Sequence, residues 1–137
     1  HPERLSWVES HYDALARLAE RGAWMQITAG ALTGRFGTRP RQFAERFVGD
    51  GLCMILATDA HHPRRRPPLL MEAVEAAAQL VGRQEAEHMV VTRPQGIVCD
   101  IAPAELPQAL AASTRLVRNT RRRSGFLPRW LDKRARS

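Results

Sequence analysis

The chain has 137 residues, the size of one ordinary domain, and a composition of 44% hydrophobic and 26% charged residues excludes a wholly disordered or fibrous chain. No apolar run approaches the ~20 residues of a membrane-spanning helix, and the opening "HPERLSWVES" lacks the apolar core of a secretory leader. The formal net charge is +7, yet residues 115–137 hold nine Lys and Arg against Asp132 alone, so this tail carries +8 and residues 1–114 carry −1. The basic balance therefore belongs to an arm, and it does not mark the body as a surface for specific nucleic-acid binding.

In chain order, "RLSWVESHYDALARLAERG" (4–22) predicts a helix. Val8, Tyr12, Leu15, Leu18 and Ala19 recur at helical intervals, Ser6 and Glu9 have capping-box spacing, and Gly22 is a stop signal. "AWMQITA" (23–29) reads as a strand, and "GALTGRFG" (30–37) as a loop with one helical turn. "RPRQFAERFVGDG" (39–51) predicts a second helix, with Phe43 and Phe47 four apart. "LCMILATD" (52–59) is almost wholly apolar, as expected of a strand buried on both faces in a parallel sheet. The alternation of helix and strand favours βαβ crossovers, hence an α/β fold of parallel strands with flanking helices. "PPLLMEAVEAAAQLVG" (67–82) predicts a third helix, "RQEAEHMVV" (83–91) a short fourth, and "RPQGIV" (93–98) a turn or short helix. Beyond about residue 100 the pattern weakens, with Pro107 interrupting "AELPQALAASTRLVRNT". The expected organisation is a domain over 1–100 and a basic, peripheral or disordered tail over 101–137.

The chemistry concentrates in "ATDAHHPRRRPP" (57–68). Asp59 ends the apolar strand, and ligands of parallel α/β folds bind outside the carboxyl ends of strands. Residues two apart in extended chain face the same way, so Asp59 and His61 can converge, and their oxygen and nitrogen suit Mn, Fe or Zn. By itself D-x-H reads more simply as a capping Asp beside surface His. Arg64, Arg65 and Arg66 follow between Pro63 and Pro67. An Arg fork matches phosphate oxygens, and a metal beside an Arg points to phosphoester hydrolysis. A solvated cluster accounts for two of these three arginines. "HPER" repeats the pairing of a potential ligand, His1, with an anion-binding Arg4. His11 and His88 lie in helical segments and read as structural, as do Trp7 and Trp24. Neither cysteine opens a C-x5-R phosphatase loop: six positions after Cys53 is Asp59, and six after Cys99 is Glu105. Cys53, inside an apolar strand, reads as core.

Taken together, "HPER", "QITAGALTGRFG", "ATDAHHPRRRPPLLMEA" and "RPQGIV", in this order and spacing, resemble the metal-dependent tyrosine-protein phosphatases of bacterial capsule and exopolysaccharide clusters, members of the PHP superfamily. The resemblance covers residues 1–98 and implies the C-terminal half of a distorted (β/α)7 PHP barrel. It implies His1, Asp59 and His61 as ligands of a divalent metal cluster, with Mn foremost and Fe or Zn as alternatives. It implies Arg4 and Arg66 as catalytic, phosphate-holding residues, with Arg35 as a weaker phosphate contact. The implied partner is a phosphotyrosine protein, a bacterial tyrosine kinase of polysaccharide export, and the implied location is cytoplasmic, with oligomer formation open. Thr28, Ala31, Thr58 and His62 depart mildly from the family's usual residues.

The family's N-terminal H-x-H, a further His and a bridging Glu have no counterpart here, and the chain starts at His1 rather than Met. A processed product or a piece of a longer chain is therefore expected, with an incomplete metal cluster and little activity alone. Two rival readings are a PHP phosphoesterase acting on a small phosphorylated metabolite and a non-catalytic truncated barrel serving as an interaction module. In the tail, Phe126, Leu127, Trp130 and Leu131 among basic residues suit either weak anionic membrane association at the inner face or a solubilising end.

Overall fold

The two apolar runs become the sheet. In the computed structural model, which describes residues 1–65 and 67–111, β1 (Met25–Thr28) and β2 (Cys53–Ala57) pair in parallel. Met25 lies opposite Cys53 and Thr28 opposite Ala57, with a register shift between Met25 and Gln26. Helix α1 (Tyr12–Glu20) precedes β1, and α2 (Ala29–Leu32) and α3 (Thr38–Gly49) form the crossover to β2. After β2 come α4 (Met71–Val81), α5 (Arg83–Glu87) and α6 (Arg93–Val98). The architecture is α/β, a small parallel two-stranded sheet with helices.

The core lies between these elements. Ile27, Cys53 and Leu56 from the strands meet Leu32, Phe47, Val48 and Met89 from the helices, all buried. Ala73 and Ala77 are the core face of α4, small enough for α4 to lie close against α2 and α3. Tyr12 tilts against Phe47 with ring centroids 4.8 Å apart and donates to Asp50 at 2.8 Å. Each large apolar side chain buried this way contributes roughly 1.5–3 kcal/mol.

Two expected boundaries move. The first helix starts at Tyr12, not near Ser6. Arg39 on α3 donates to the carbonyls of Leu5 and Ser6 at 3.3 and 2.9 Å, tying this segment to α3 in i→i+3 turns, and His11 takes the N-cap position. The second change joins the segments expected at 83–91 and 93–98 through a π-helical turn, His88–Thr92. Pro94 lacks an N–H, and in a regular helix its ring would strike the Val90 carbonyl; the wider turn makes room for it.

Residues 101–111 lie back over the body. Leu106 is buried against Gly96, where an added Cβ would come 2.5 Å from the Leu106 side chain. Gly51 takes a left-handed φ of 73°, and an added Cβ there would sit 2.5 Å from the Ala111 nitrogen. Arg66 and residues 112–137, with the expectations placed on them, lie outside the described residues. Among the described residues no helix is long and apolar enough to cross a membrane.

Candidate active site

The carboxyl end of β2 delivers Asp59 in a left-handed backbone conformation, φ 53°, which Asp tolerates better than most residues. The turn puts one carboxylate oxygen 3.8 Å from the Arg4 guanidinium and the other 3.9 Å from His61 Nδ1. His61 Nδ1 also lies 2.7 Å from the Asp59 carbonyl oxygen. A carbonyl only accepts, so this contact puts the proton on Nδ1 and leaves Nε2 with a free lone pair. His62 has the opposite tautomer: its Nδ1 accepts the backbone N–H groups of Arg64 at 3.2 Å and Arg65 at 3.0 Å.

Arg4 arrives from 55 residues earlier, on the 3-10 turn Pro2–Arg4, where the Arg4 N–H donates back to the His1 carbonyl at 3.2 Å. Its guanidinium stacks 4.6 Å from the centre of the Phe36 ring. Phe36 in turn lies over Gly30, where a Cβ would come 2.9 Å from the ring, so the glycine of "TAG" admits the platform on which Arg4 rests. The anchor of this turn is Glu3, fully buried, whose Oε1 accepts the Thr28 N–H at the end of β1 at 3.2 Å. Its Oε2 and the Thr28 hydroxyl are buried with no hydrogen-bond partner among the described residues. Sequence reasoning missed Glu3, because a Glu between Pro and Arg looks solvent-exposed. The only available signal was its position inside the motif.

Arg4, Asp59 and His61 are thus brought together, with His1 on the same turn as Arg4. Arg35 is engaged elsewhere, donating to Glu72 on the first turn of α4 at 3.2 Å. Among the described residues no three His, Cys, Asp or Glu side chains gather into a group that could hold a metal. Asp59 and His61 fit a divalent ion in donor type, but their number is insufficient.

Cys53 is disfavoured as a nucleophile: burial pushes its thiol up to about 12, so it stays protonated near neutral pH. A second charged group missed in the sequence is Arg93. It is fully buried and donates to Glu85 at 2.7 Å, to the Pro107 carbonyl at 2.7 Å and to the Met54 carbonyl of β2 at 3.1 Å.

A family model described as capsular polysaccharide synthesis, CpsB/CapC, matches residues 1–99. The chain belongs to this family. Similar proteins include tyrosine-protein phosphatase YwqE of Bacillus subtilis strain 168, 39% identical over 66 residues, covering 48% of this chain and 26% of the relative. CapC of Staphylococcus aureus is 36% identical over 72 residues, covering 53% and 28%. Tyrosine-protein phosphatase CpsB of Streptococcus pneumoniae is 24% identical over 110 residues, covering 73% and 43%. The chain therefore spans from about a quarter to under half of the length of these family members. No solved structure gives a significant match. The matched region ends where the four sequence motifs end, and the basic tail lies beyond it.

Proposed function

We propose that this chain forms part of a metal-dependent protein-tyrosine phosphatase of capsule and exopolysaccharide synthesis, built as the C-terminal half of a PHP barrel. The observation that carries the reading is the meeting of Arg4, from "HPER", with Asp59 and His61, from "DAHH", at the carboxyl end of a parallel strand. Residues far apart in sequence converge there as a cation beside a carboxylate and imidazole pair, a composition suited to metal-assisted phosphoester hydrolysis. The tyrosine-protein phosphatase names of YwqE and CpsB support the same substrate class.

In this reading His1, Asp59 and His61 hold part of a divalent metal cluster, Mn foremost, and the remaining ligands come from outside the described residues. The metal, when bound, supplies a water nucleophile activated at neutral pH. The Arg4 guanidinium, held over the Phe36 ring, would face the non-bridging oxygens of the phosphoryl group and offset the charge that grows on them. Arg66 is the second phosphate-holding residue. Asp59 serves both halves of the site, since its two oxygens face Arg4 and His61. The substrate would be a phosphotyrosine kinase of polysaccharide export, met on the cytoplasmic face of the membrane, and the tail would add weak attraction to anionic lipid.

The test is phosphate release from a phosphotyrosine peptide by the full-length protein with Mn, together with metal analysis of Asp59→Asn and Arg66→Ala. The expected result is that Asp59→Asn loses metal and activity together, while Arg66→Ala keeps metal and loses turnover. Equal metal loss in both would overturn the role of Arg66. A full-length protein that purifies without stoichiometric metal and releases no phosphate would favour the second reading, a non-catalytic interaction module. The absence of a three-donor group among the described residues is the observation on that side.

A further inference from the structure

The loop after His61 has features that phosphate binding alone does not require. From Ala60 to Met71 the sequence holds Arg64, Arg65 and Arg66 and no acid. The next acid, Glu72, is already paired with Arg35. The His62 imidazole accepts the backbone N–H groups of Arg64 and Arg65 together, which folds residues 62–65 into a turn and presents two successive guanidinium groups outward. Pro63 stiffens that turn by fixing its own φ. Both arginines are exposed, and among the described residues neither meets a carboxylate.

Among the described residues most arginines are paired: Arg4, Arg35, Arg39, Arg41, Arg46, Arg83 and Arg93 each meet an Asp or Glu. The other described arginines without such a pair, Arg17 and Arg21, lie on or beside α1, which contributes nothing to the cluster. Just past the loop, Leu69 and Met71 expose large apolar side chains, Met71 at 70%. A pair of unpaired cations beside apolar surface, three and four residues after His61, is a surface for a peptide that carries carboxylates and an aromatic ring.

We infer that Arg64 and Arg65 are specificity-determining residues that bind carboxylates flanking the phosphorylated side chain, so that the site takes an acidic phosphopeptide. This rests on the phosphatase reading above and adds the class of sequence recognised. Peptide fits better than lipid because the two cations follow His61 closely in sequence, on the loop that begins at the cluster. A substrate strand advances about 3.3 Å per residue, so carboxylates one or two residues from the phosphorylated side chain would extend toward that loop.

The experiment uses the full-length protein with Mn, wild type and the Arg64→Gln/Arg65→Gln double variant. Three substrates are compared: p-nitrophenyl phosphate, a phosphotyrosine peptide with neutral flanks, and the same peptide with Glu on both sides. The wild type is expected to favour the acidic peptide about tenfold in kcat/KM, mostly through KM, the scale of two exposed ion pairs. That preference should shrink as salt rises from 0.01 to ~0.5 M. The double variant should lose the preference while hydrolysing p-nitrophenyl phosphate within about twofold of wild type. Equal kcat/KM for the two peptides in wild type, or an equal slowing of all three substrates in the variant, overturns the inference and leaves the phosphatase reading standing. No hydrolysis of any substrate by wild type sinks both. Loss of binding to anionic vesicles with the peptide preference intact would assign the arginines to a membrane surface, again against the inference.

Discussion

Two arginine–carboxylate pairs divide the labour in this molecule. Arg93 and Glu85 sit 2.7 Å apart at 0% and 2% exposure, and Arg93 has two further carbonyl acceptors. Arg4 and Asp59 sit 3.8 Å apart at 32% and 30% exposure, with Arg4 facing a ring on one side. The first pair works as a clamp joining β2, the α5–α6 run and the segment around Pro107: Arg93 directs donors to Glu85 and to two carbonyls, while the second Glu85 oxygen, Oε2, is buried with no hydrogen-bond partner among the described residues. The second pair is loose and about a third exposed, so water and other anions can compete for Arg4. The two pairs differ in distance and burial, and these set what each can do.

Substitutions at the two pairs and at the other buried groups should separate their roles by the folding free energy each loses. Arg93→Ala leaves Glu85 buried and unpaired and should cost about 3–5 kcal/mol. Denaturant unfolding would read this as a large fall in midpoint, enough to leave a domain of ordinary stability partly unfolded. A loss below ~1 kcal/mol would mean the clamp is not what holds the C-terminal segment.

Glu3 is the intermediate case, buried like Glu85 but with a backbone N–H as its partner. Glu3→Ala strands the Thr28 N–H and should cost about 1–3 kcal/mol by the same measurement. Phosphate release by the full-length protein should fall as well, since the His1–Arg4 turn loses its anchor.

Cys53 contributes through pH. Its folded-state thiol is pushed up to about 12, whereas an unfolded thiol ionises near ~8.5. Between those values the unfolded chain gives up a proton that the folded chain keeps, so stability is undiminished below ~8.5 and falls as pH rises above it. Unfolding at pH 8 and 9.5 should show wild type losing about 1 kcal/mol, and Cys53→Ala should remove most of that difference. Exposed Cys99 should react with a thiol reagent at pH 8 while Cys53 stays protected until unfolding.

The smallest stability effects belong to the loose pair. Arg4→Ala and Asp59→Asn should each change unfolding free energy by less than about 1 kcal/mol, as half-exposed pairs do. Each should nevertheless lower kcat/KM on a phosphotyrosine peptide by about 100-fold in the full-length protein. A stability loss matching that of Arg93→Ala would erase the distinction between the two pairs.

Much of the local architecture was legible in the sequence. The apolar "MQIT" and "CMIL" runs become β1 and β2, the Ala-rich run becomes α4, and the turn allowed within 30–37 corresponds to α2, which starts one residue earlier. Asp59 lies two residues past the end of β2, which stops at Ala57 rather than running to 59 as expected. The start of α1 was misread because Ser6 and Glu9 have capping spacing, and no local pattern reveals that Arg39, 33 residues away, holds the Ser6 carbonyl.

The elements themselves, and the grouping of His, Asp and Arg into short motifs, follow from local sequence, because hydrophobic period and turn residues act over a few positions. Which charges are buried, and against what, follows from contacts between distant segments. Glu3 meets Thr28 across 25 residues, Arg93 meets the Met54 carbonyl across 39, and Arg4 meets Asp59 across 55. Desolvation acts on a charge through everything packed around it, and those neighbours are chosen by the fold rather than by the adjoining residues.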